Sequence, residues 1–225
     1  MRGILLLLGL VAAASAQALS LDQISSKDAG GGLQQALGQG AGKAVDLLGK
    51  SDGFLSNPRV RIPLPPRLQK VEGLLRGIGM GKYADELITA MNRAAEAAVP
   101  EAKPLLLNSI KQMSWSDAKG ILTGGEDAAT QYFRRSTSAP LTVKFLPIVR
   151  QATAHVRLAE KYDEFAGRAA KFGLVKEQDA HLDDYVTQKS LDGLFLMIGE
   201  EEKAIRKDPL GAVGSLAQKV FGALR

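Results

Sequence analysis

The stretch that decides the fold is ADELITAMNRAAEAA, residues 84–98. Its apolar residues recur every three or four positions and form one continuous face, whereas Asn92, Arg93 and Glu96 lie largely off that face. The pattern predicts an amphipathic helix that packs against a core through its apolar face. The members of this face are Ala84, Leu87, Ile88, Met91, Ala94, Ala95 and Ala98.

Helical spacing recurs on both sides of this stretch. Gly38, Gly40 and Gly42 interrupt the first such segment, so it should be the softest helix or use its glycines for close packing. Residues 123–126 have capping-box spacing before a helix, and Pro140 and Pro147 should interrupt the segment that follows. The other predicted helices cover residues 30–49, 68–78, 104–113, 117–122, 127–136, 141–156, 183–206 and 209–224.

A different pattern occupies residues 58–65, where Val60, Ile62 and Leu64 alternate with basic residues and prolines. A period of two indicates extended backbone, and prolines cannot donate to a strand ladder. This segment is therefore an edge strand, a hairpin arm or an extended strap across helices. The predicted fold is mainly all-α, a single multi-helix domain with a short extended or hairpin segment near residues 58–65.

The N-terminus has the features of a secretory signal peptide. Arg2 precedes the apolar run 4–11, and small residues continue to Ala18, with possible cleavage sites at residues 14–16 and 16–18. We predict a signal peptide at 1–18, a flexible segment at 19–32 and the helical domain at 33–225. The mature protein should be periplasmic.

Composition narrows the classes of partner. The chain has no cysteine, so it should be neither a lipoprotein nor a disulfide-stabilised protein. Its formal charge is only +5 and aromatic residues make up 5%, without the basic runs and stacking aromatics of a nucleic-acid binder. No second apolar run approaches the roughly 20 residues that cross a bilayer. We expect no nucleic acid and at most peripheral membrane contact.

The candidate site residues come mainly from the helix predicted at 183–206. At about 100° per residue, Glu202 and Asp184 fall on its apolar face, where a carboxylate must be paired or neutral. Arg206 follows Glu202 by four residues, and Arg134 could reach Glu202 from another helix. Either a structural ion pair or a ligand-binding or acid–base site would explain these residues, and Arg93 is a further candidate of the same kind.

Other chemistry has little support in the sequence. The two histidines, His155 and His181, lie in separate segments, and residues 181–184 lack the spacing of a metal site. Asp183 or Asp184 should instead cap a helix N-terminus. Neither a nucleophile elbow nor a dinucleotide-binding glycine motif is present, so we expect no cofactor and no metal.

Several ordered blocks of sequence together resemble a known family. They are GFL at 53–55, NP at 57–58, VRIPLP at 60–65, MNRAAE at 91–96, VPEA at 99–102, DAKGIL at 117–122, DAATQYFR at 127–134, LDDYVT at 182–187, LDGLF at 191–195 and EEE at 200–202. Over residues 33–221 the chain resembles an exported bacterial family catalogued as domain of unknown function 4197. The resemblance implies a mainly helical envelope protein of a Gram-negative bacterium and implies no reaction. Many members resemble lipoproteins, from which this chain differs by having no cysteine.

These observations favour a non-enzymatic ligand-binding or protein-interaction module of the bacterial envelope. Its partner would be a small apolar or anionic ligand, or an envelope protein. One alternative is an enzyme that uses a buried carboxylate and arginine, Glu202 with Arg134 or Arg206. Another is a peripheral membrane binder that uses the amphipathic helix predicted at the C-terminus, since basic amphipathic helices bind anionic lipid surfaces.

Overall fold

The described part of the protein is built mainly of helices. A computed structural model describes residues 26–77, 79, 81–156, 159 and 181–208. The helices there are α1 (Ser26–Leu48), α2 (Pro66–Gly77), α3 (Gly81–Ala98), α4 (Ala102–Lys111), α5 (Trp115–Thr123), α6 (Ala128–Thr153) and α7 (Leu182–Lys207). A 3-10 turn, Val99–Glu101, joins α3 to α4. The all-α fold is confirmed, and no strand occurs within the described residues. The predicted signal peptide and C-terminal helix lie outside them.

The core lies around the long helices α6 and α7, which pack on each other. Helix α3 packs on α6 and α7, and α1 packs on α7 and α4. Every residue of the apolar face predicted for 84–98 is buried, as that periodicity requires. Phe133 and Phe145 of α6 and Phe195 of α7 are among the largest fully buried side chains. One continuous apolar core therefore joins these helices.

Helix α1 begins at Ser26, before the predicted domain boundary at residue 33. At least one glycine of α1 allows close packing against another helix. A Cβ atom on Gly40 would lie 3.4 Å from Ile205 Cδ1 and 3.5 Å from Glu201 Cβ, both on α7. The small residue lets the two helix backbones approach each other closely, which offsets the conformational cost of glycine.

Residues 61–65 form a strap across helices, after a turn at residues 58–60 in which Val60 N and Arg61 N donate to Asn57 O at 3.2 Å and 2.8 Å. Val60, Ile62 and Leu64 are buried, whereas Arg61 and Pro63 between them are exposed, as the period-two pattern predicts. The backbone of Ile62 bonds to a side chain of α3, and that of Pro63 accepts a hydrogen bond from α7. The strap thus connects α3 to α7 without strand pairing.

The predicted interruption of the helix at Pro140 and Pro147 is wrong. Helix α6 continues through both prolines to Thr153. Each proline is exposed, so the carbonyl that loses its helical partner faces water, while Leu141 and Phe145 bury the opposite face. Burial on that face outweighs a local cost of roughly 3 kcal/mol per proline.

Candidate functional site

Glu202 is buried in the core, as its position on the apolar face predicts, with 6% of its surface exposed. Its carboxylate sits at the N-terminus of α6. Oε1 accepts a hydrogen bond from Ala129 N at 2.9 Å, and Oε2 accepts from Thr130 N and Thr130 Oγ1, both at 2.8 Å. A helix N-terminus has unpaired N–H groups and partial positive charge, so this carboxylate serves as the cap of α6.

Arg206 completes this cap from the next turn of α7. Its Nε and Nη2 donate to Glu202 Oε1 at 3.2 Å and 2.9 Å, and Nη2 also donates to Ile121 O at 2.8 Å. The favourable i, i+4 pair predicted from sequence is therefore formed. Five hydrogen bonds occupy the two carboxylate oxygens of Glu202, which leaves them no room for a ligand.

The capping box predicted at residues 123–126 is wrong. Thr123 Oγ1 donates within α5 to Lys119 O at 2.9 Å, and Asp127, the residue before α6, makes no side-chain cap bond. The cap comes instead from Glu202, more than 70 residues away in the chain. A full charge in a buried setting binds these N–H groups more strongly than an exposed side chain can.

Arg93 belongs to a second arrangement of the same kind, centred on Glu96. Glu96 Oε1 accepts hydrogen bonds from Phe54 N and Leu55 N at 3.0 Å each, and Arg93 Nη1 donates to Oε2 at 2.6 Å. Arg93 Nη2 also donates to Asp52 Oδ1 at 2.8 Å. Glu96 and Arg93 hold the turn at residues 51–56 against α3, so the contacts of Arg93 are structural.

Asn92 was missed as a structural residue by sequence reasoning. Its Oδ1 accepts from Ile62 N at 2.8 Å, and its Nδ2 donates to Ile62 O at 2.9 Å. Asn92 is fully buried although it lies off the apolar face of α3. The sequence signal that could have identified Asn92 is its place among polar residues beside the apolar face. Extended backbone that crosses a helix has unpaired N–H and C=O groups, and such side chains can bind them.

Arg134 does not bind Glu202, which was one of its predicted partners. Its guanidinium carbon lies 4.8 Å from the centre of the Phe195 ring, and Nη1 lies 3.8 Å from Asp192 Oδ1. A cation over an aromatic face with a carboxylate beside it is a satisfied surface arrangement. Arg134 therefore packs α6 on α7.

Asp184, the remaining candidate, lines a cleft of about 720 Å³ between the strap, the start of α2, and helices α6 and α7. The cleft wall combines apolar surface with polar side chains. The polar residues include Gln69 of α2, Thr142 of α6, and Asp184, Thr187 and Gln188 of α7. Asp184 and Gln188 are four positions apart, so their side chains lie on one helix face.

The carboxylate of Asp184 is half-buried, and burial raises its pKa above the ordinary 3.8, with the neighbouring charge of Asp183 adding to the shift. Arg150 is engaged elsewhere, since its Nε donates to Asp183 Oδ2 at 2.9 Å. Neither aspartate is the N-cap residue that the sequence predicted, because His181 precedes the helix and both aspartates lie inside its first turn. Asp183 Oδ1 nevertheless accepts a hydrogen bond from the first-turn backbone, Asp184 N, at 3.1 Å.

Thr187 carries the most unusual polar atom of the cleft. It is 2% exposed, and its Oγ1 is the one buried side-chain polar atom without a hydrogen-bond partner in the described part of the chain. The other buried helical threonines have partners: Thr137 and Thr153 donate to the carbonyls four residues earlier, at 2.6 Å and 3.0 Å, and Thr130 donates to Glu202. Native proteins rarely leave such an atom unpaired, so its position in a cleft wall is informative.

Two further findings on the described residues concern metal binding and membrane spanning. Among residues that the structure describes, no three histidine, aspartate or glutamate side chains are grouped as metal ligands would be. No described helix combines the length and apolar character of a membrane-spanning segment.

Comparison with known proteins gives one match. The model of a family described as "Protein of unknown function (DUF4197)" matches residues 23–222. No curated protein and no solved structure matches the chain.

Proposed function

The chain belongs to the DUF4197 family of proteins of unknown function, and from that premise we propose that it is a non-enzymatic envelope protein that binds a small polar molecule in the cleft. The unpaired hydroxyl of Thr187 is the observation that carries this proposal. A buried polar group without a partner costs roughly 1–3 kcal/mol of folding stability. This oxygen is covered in the ligand-free protein, so a ligand that hydrogen-bonds to it must displace the atoms over it and would then recover that cost.

Asp184 supports the same conclusion independently. It is half-buried beside another carboxylate, and no residue in the described part of the chain forms an ion pair with it. A partly desolvated, unpaired carboxylate in a cleft is the kind of group that binding sites use.

The polar side chains of the wall support a ligand with polar groups of its own. Carboxylates, amides and hydroxyls line the cleft beside the apolar surface of Pro63 and Pro66, and a wholly apolar molecule would leave the polar groups without partners. An anionic ligand would meet Asp184 and Asp192, with Lys189 as the only basic residue among the described residues of the wall.

The residues that the alternative, an enzyme built on Glu202, would use are already bound to other groups of the protein. Glu202 accepts five hydrogen bonds from α6 and Arg206, and Arg134 lies over Phe195. Such a carboxylate has neither a free oxygen nor access to a substrate, both of which an acid–base residue needs.

Export to the periplasm is part of the proposal. It is supported by the basic residue, apolar run and small residues at 1–18, and by the absence of the cysteine that lipid attachment requires. The intact mass of protein from the periplasmic fraction tests it. Loss of 16 or 18 N-terminal residues is expected, whereas an unprocessed chain in the cytoplasm would contradict export.

The binding function is tested by native mass spectrometry of protein purified without denaturation. We expect the wild type to carry an additional mass that is released on denaturation. Thr187→Val should lose this mass, and Thr137→Val, which alters a buried threonine with an internal partner, should retain it. A clean ligand-free mass for the wild type would overturn small-molecule binding and leave an envelope protein as the partner.

A further inference from the structure

We infer that the cleft binds a protonated amine, an inference that rests on the proposed ligand-binding function and specifies its ligand class. It follows from counting which hydrogen-bonding atoms of the wall are occupied. A site recognises the ligand whose donors, acceptors and charge complete those that the protein leaves unmet.

Most donors of the wall are already committed to protein acceptors. Apart from the unpaired Thr187 hydroxyl, each described residue of the wall with an amide or hydroxyl directs a donor to an oxygen of the chain itself: Gln69 Nε2 to Leu64 O at 2.6 Å, Thr142 Oγ1 to Ser138 O at 3.0 Å, Tyr185 Oη to Pro63 O at 3.1 Å and Gln188 Nε2 to Asp192 Oδ1 at 3.0 Å. A ligand rich in acceptors would find few groups to bind.

The acceptors of the wall are, by contrast, available. Among the described residues nothing donates to the side-chain carbonyl oxygens of Gln69 and Gln188 or to the carboxylate of Asp184. These acceptors belong to exposed or half-buried side chains, so a hydrogen-bond donor that enters the cleft can reach them.

Charge distinguishes a cationic donor from a neutral one. Lys189 Nζ lies 4.0 Å from Asp192 Oδ2, and Arg134 Nη1 lies 3.8 Å from the other oxygen of the same carboxylate. Arg150 is paired with Asp183. Asp184 is thus the carboxylate of the wall that forms no ion pair in the described part of the chain. An ammonium group has three donors and a positive charge, and it meets both requirements at once.

The geometry of α7 fits such a group. Asp184 and Gln188 lie four positions apart, which places their Cβ atoms roughly 5–6 Å apart on the helix surface. An ammonium nitrogen between them can donate to the carboxylate and to the amide carbonyl together.

Three probes with the same four-carbon chain test the inference by isothermal titration calorimetry of the mature protein. They are putrescine, 1,4-butanediol and succinate, which carry two positive charges, none and two negative charges. We expect putrescine to bind most tightly. Asp184→Asn should weaken putrescine binding at least about tenfold, because it removes a charge-assisted hydrogen bond. Asp46→Asn, at an exposed carboxylate paired with Lys103 on another face, should leave binding unchanged.

The inference and the proposed function fail in different ways. Equal putrescine affinity in wild type and Asp184→Asn, or no putrescine binding at all, overturns the amine class. Tighter binding of the diol or of succinate, lost in Thr187→Val, overturns the amine class and supports a polar ligand in the cleft. Whether any natural ligand occupies the cleft is decided separately by the native mass of the purified protein.

Discussion

Replacement of Thr187 by valine should make the ligand-free protein more stable. Valine has nearly the shape of threonine, with a methyl group in place of the hydroxyl. The hydroxyl oxygen is buried without a partner, and Thr187 is only 2% exposed. Removing such a group recovers roughly 1–3 kcal/mol. We expect the free energy of unfolding to rise by at least about 1 kcal/mol, which raises Tm by about 2–4 °C in a chain of this size.

The matched control is Thr137→Val in α6. Thr137 is equally buried at 2% exposure, but its Oγ1 donates to Phe133 O at 2.6 Å. The same substitution there removes a made hydrogen bond and should lower the free energy of unfolding by about 0.5–1.5 kcal/mol. The two variants differ only in whether the hydroxyl has a partner, so opposite signs are the expected outcome.

Equilibrium urea unfolding, followed by circular dichroism, measures both changes. Bound ligand must first be removed by unfolding and refolding, because a ligand of the native state would itself raise stability. The slope of the free energy against urea should stay constant across the three proteins. If Thr187→Val is destabilised as much as Thr137→Val, the Thr187 hydroxyl has a partner that stabilises the fold, and the argument for the cleft as a binding site is refuted.

Three further variants test the other arrangements. Glu202→Gln should lower the free energy of unfolding by about 3–5 kcal/mol in urea titrations, since it leaves a buried cation and two N–H groups poorly matched; a neutral result would contradict its capping role. Gly193→Ala should cost about 1–3 kcal/mol because the new Cβ would lie 2.7 Å from the buried Phe54 ring, whereas Gly120→Ala, with nothing within 4 Å, should gain up to about 1 kcal/mol. Because burial raises the pKa of Asp184 above 3.8, its ionisation costs stability, so the advantage of Asp184→Asn should be near zero well below pH 3.8 and grow as the pH rises. A pH-independent difference in unfolding free energy between wild type and Asp184→Asn would contradict that last prediction.

The helices were largely predictable because their signal is local. In α3 and α7 the apolar residues recur with helical spacing, and neighbours three or four positions apart share a face whatever surrounds them. The same local rule placed Glu202 on the buried face and paired it with Arg206. The strap was predictable in the same way, because its apolar residues recur with a period of two.

The predictions failed where distant segments decide the outcome. Local rules placed a cap at residues 123–126 and breaks at Pro140 and Pro147, yet Glu202 caps α6 and packing carries the helix through both prolines. Asn92 and Glu96 look like surface residues of α3 until the strap and the turn before it present unpaired backbone groups to them.

The sequence by itself determined the helical class, the buried face of each main helix and the family, since these depend on composition, periodicity and the order of blocks. Only the tertiary structure decided which polar residues are structural and which face a cleft. Glu202, Arg206 and Arg93 are occupied by backbone and side-chain partners, whereas Asp184 and Thr187 are left unmatched beside the strap. The reason is physical: whether a buried polar atom is satisfied depends on segments more than 40 residues away as much as on its own helix.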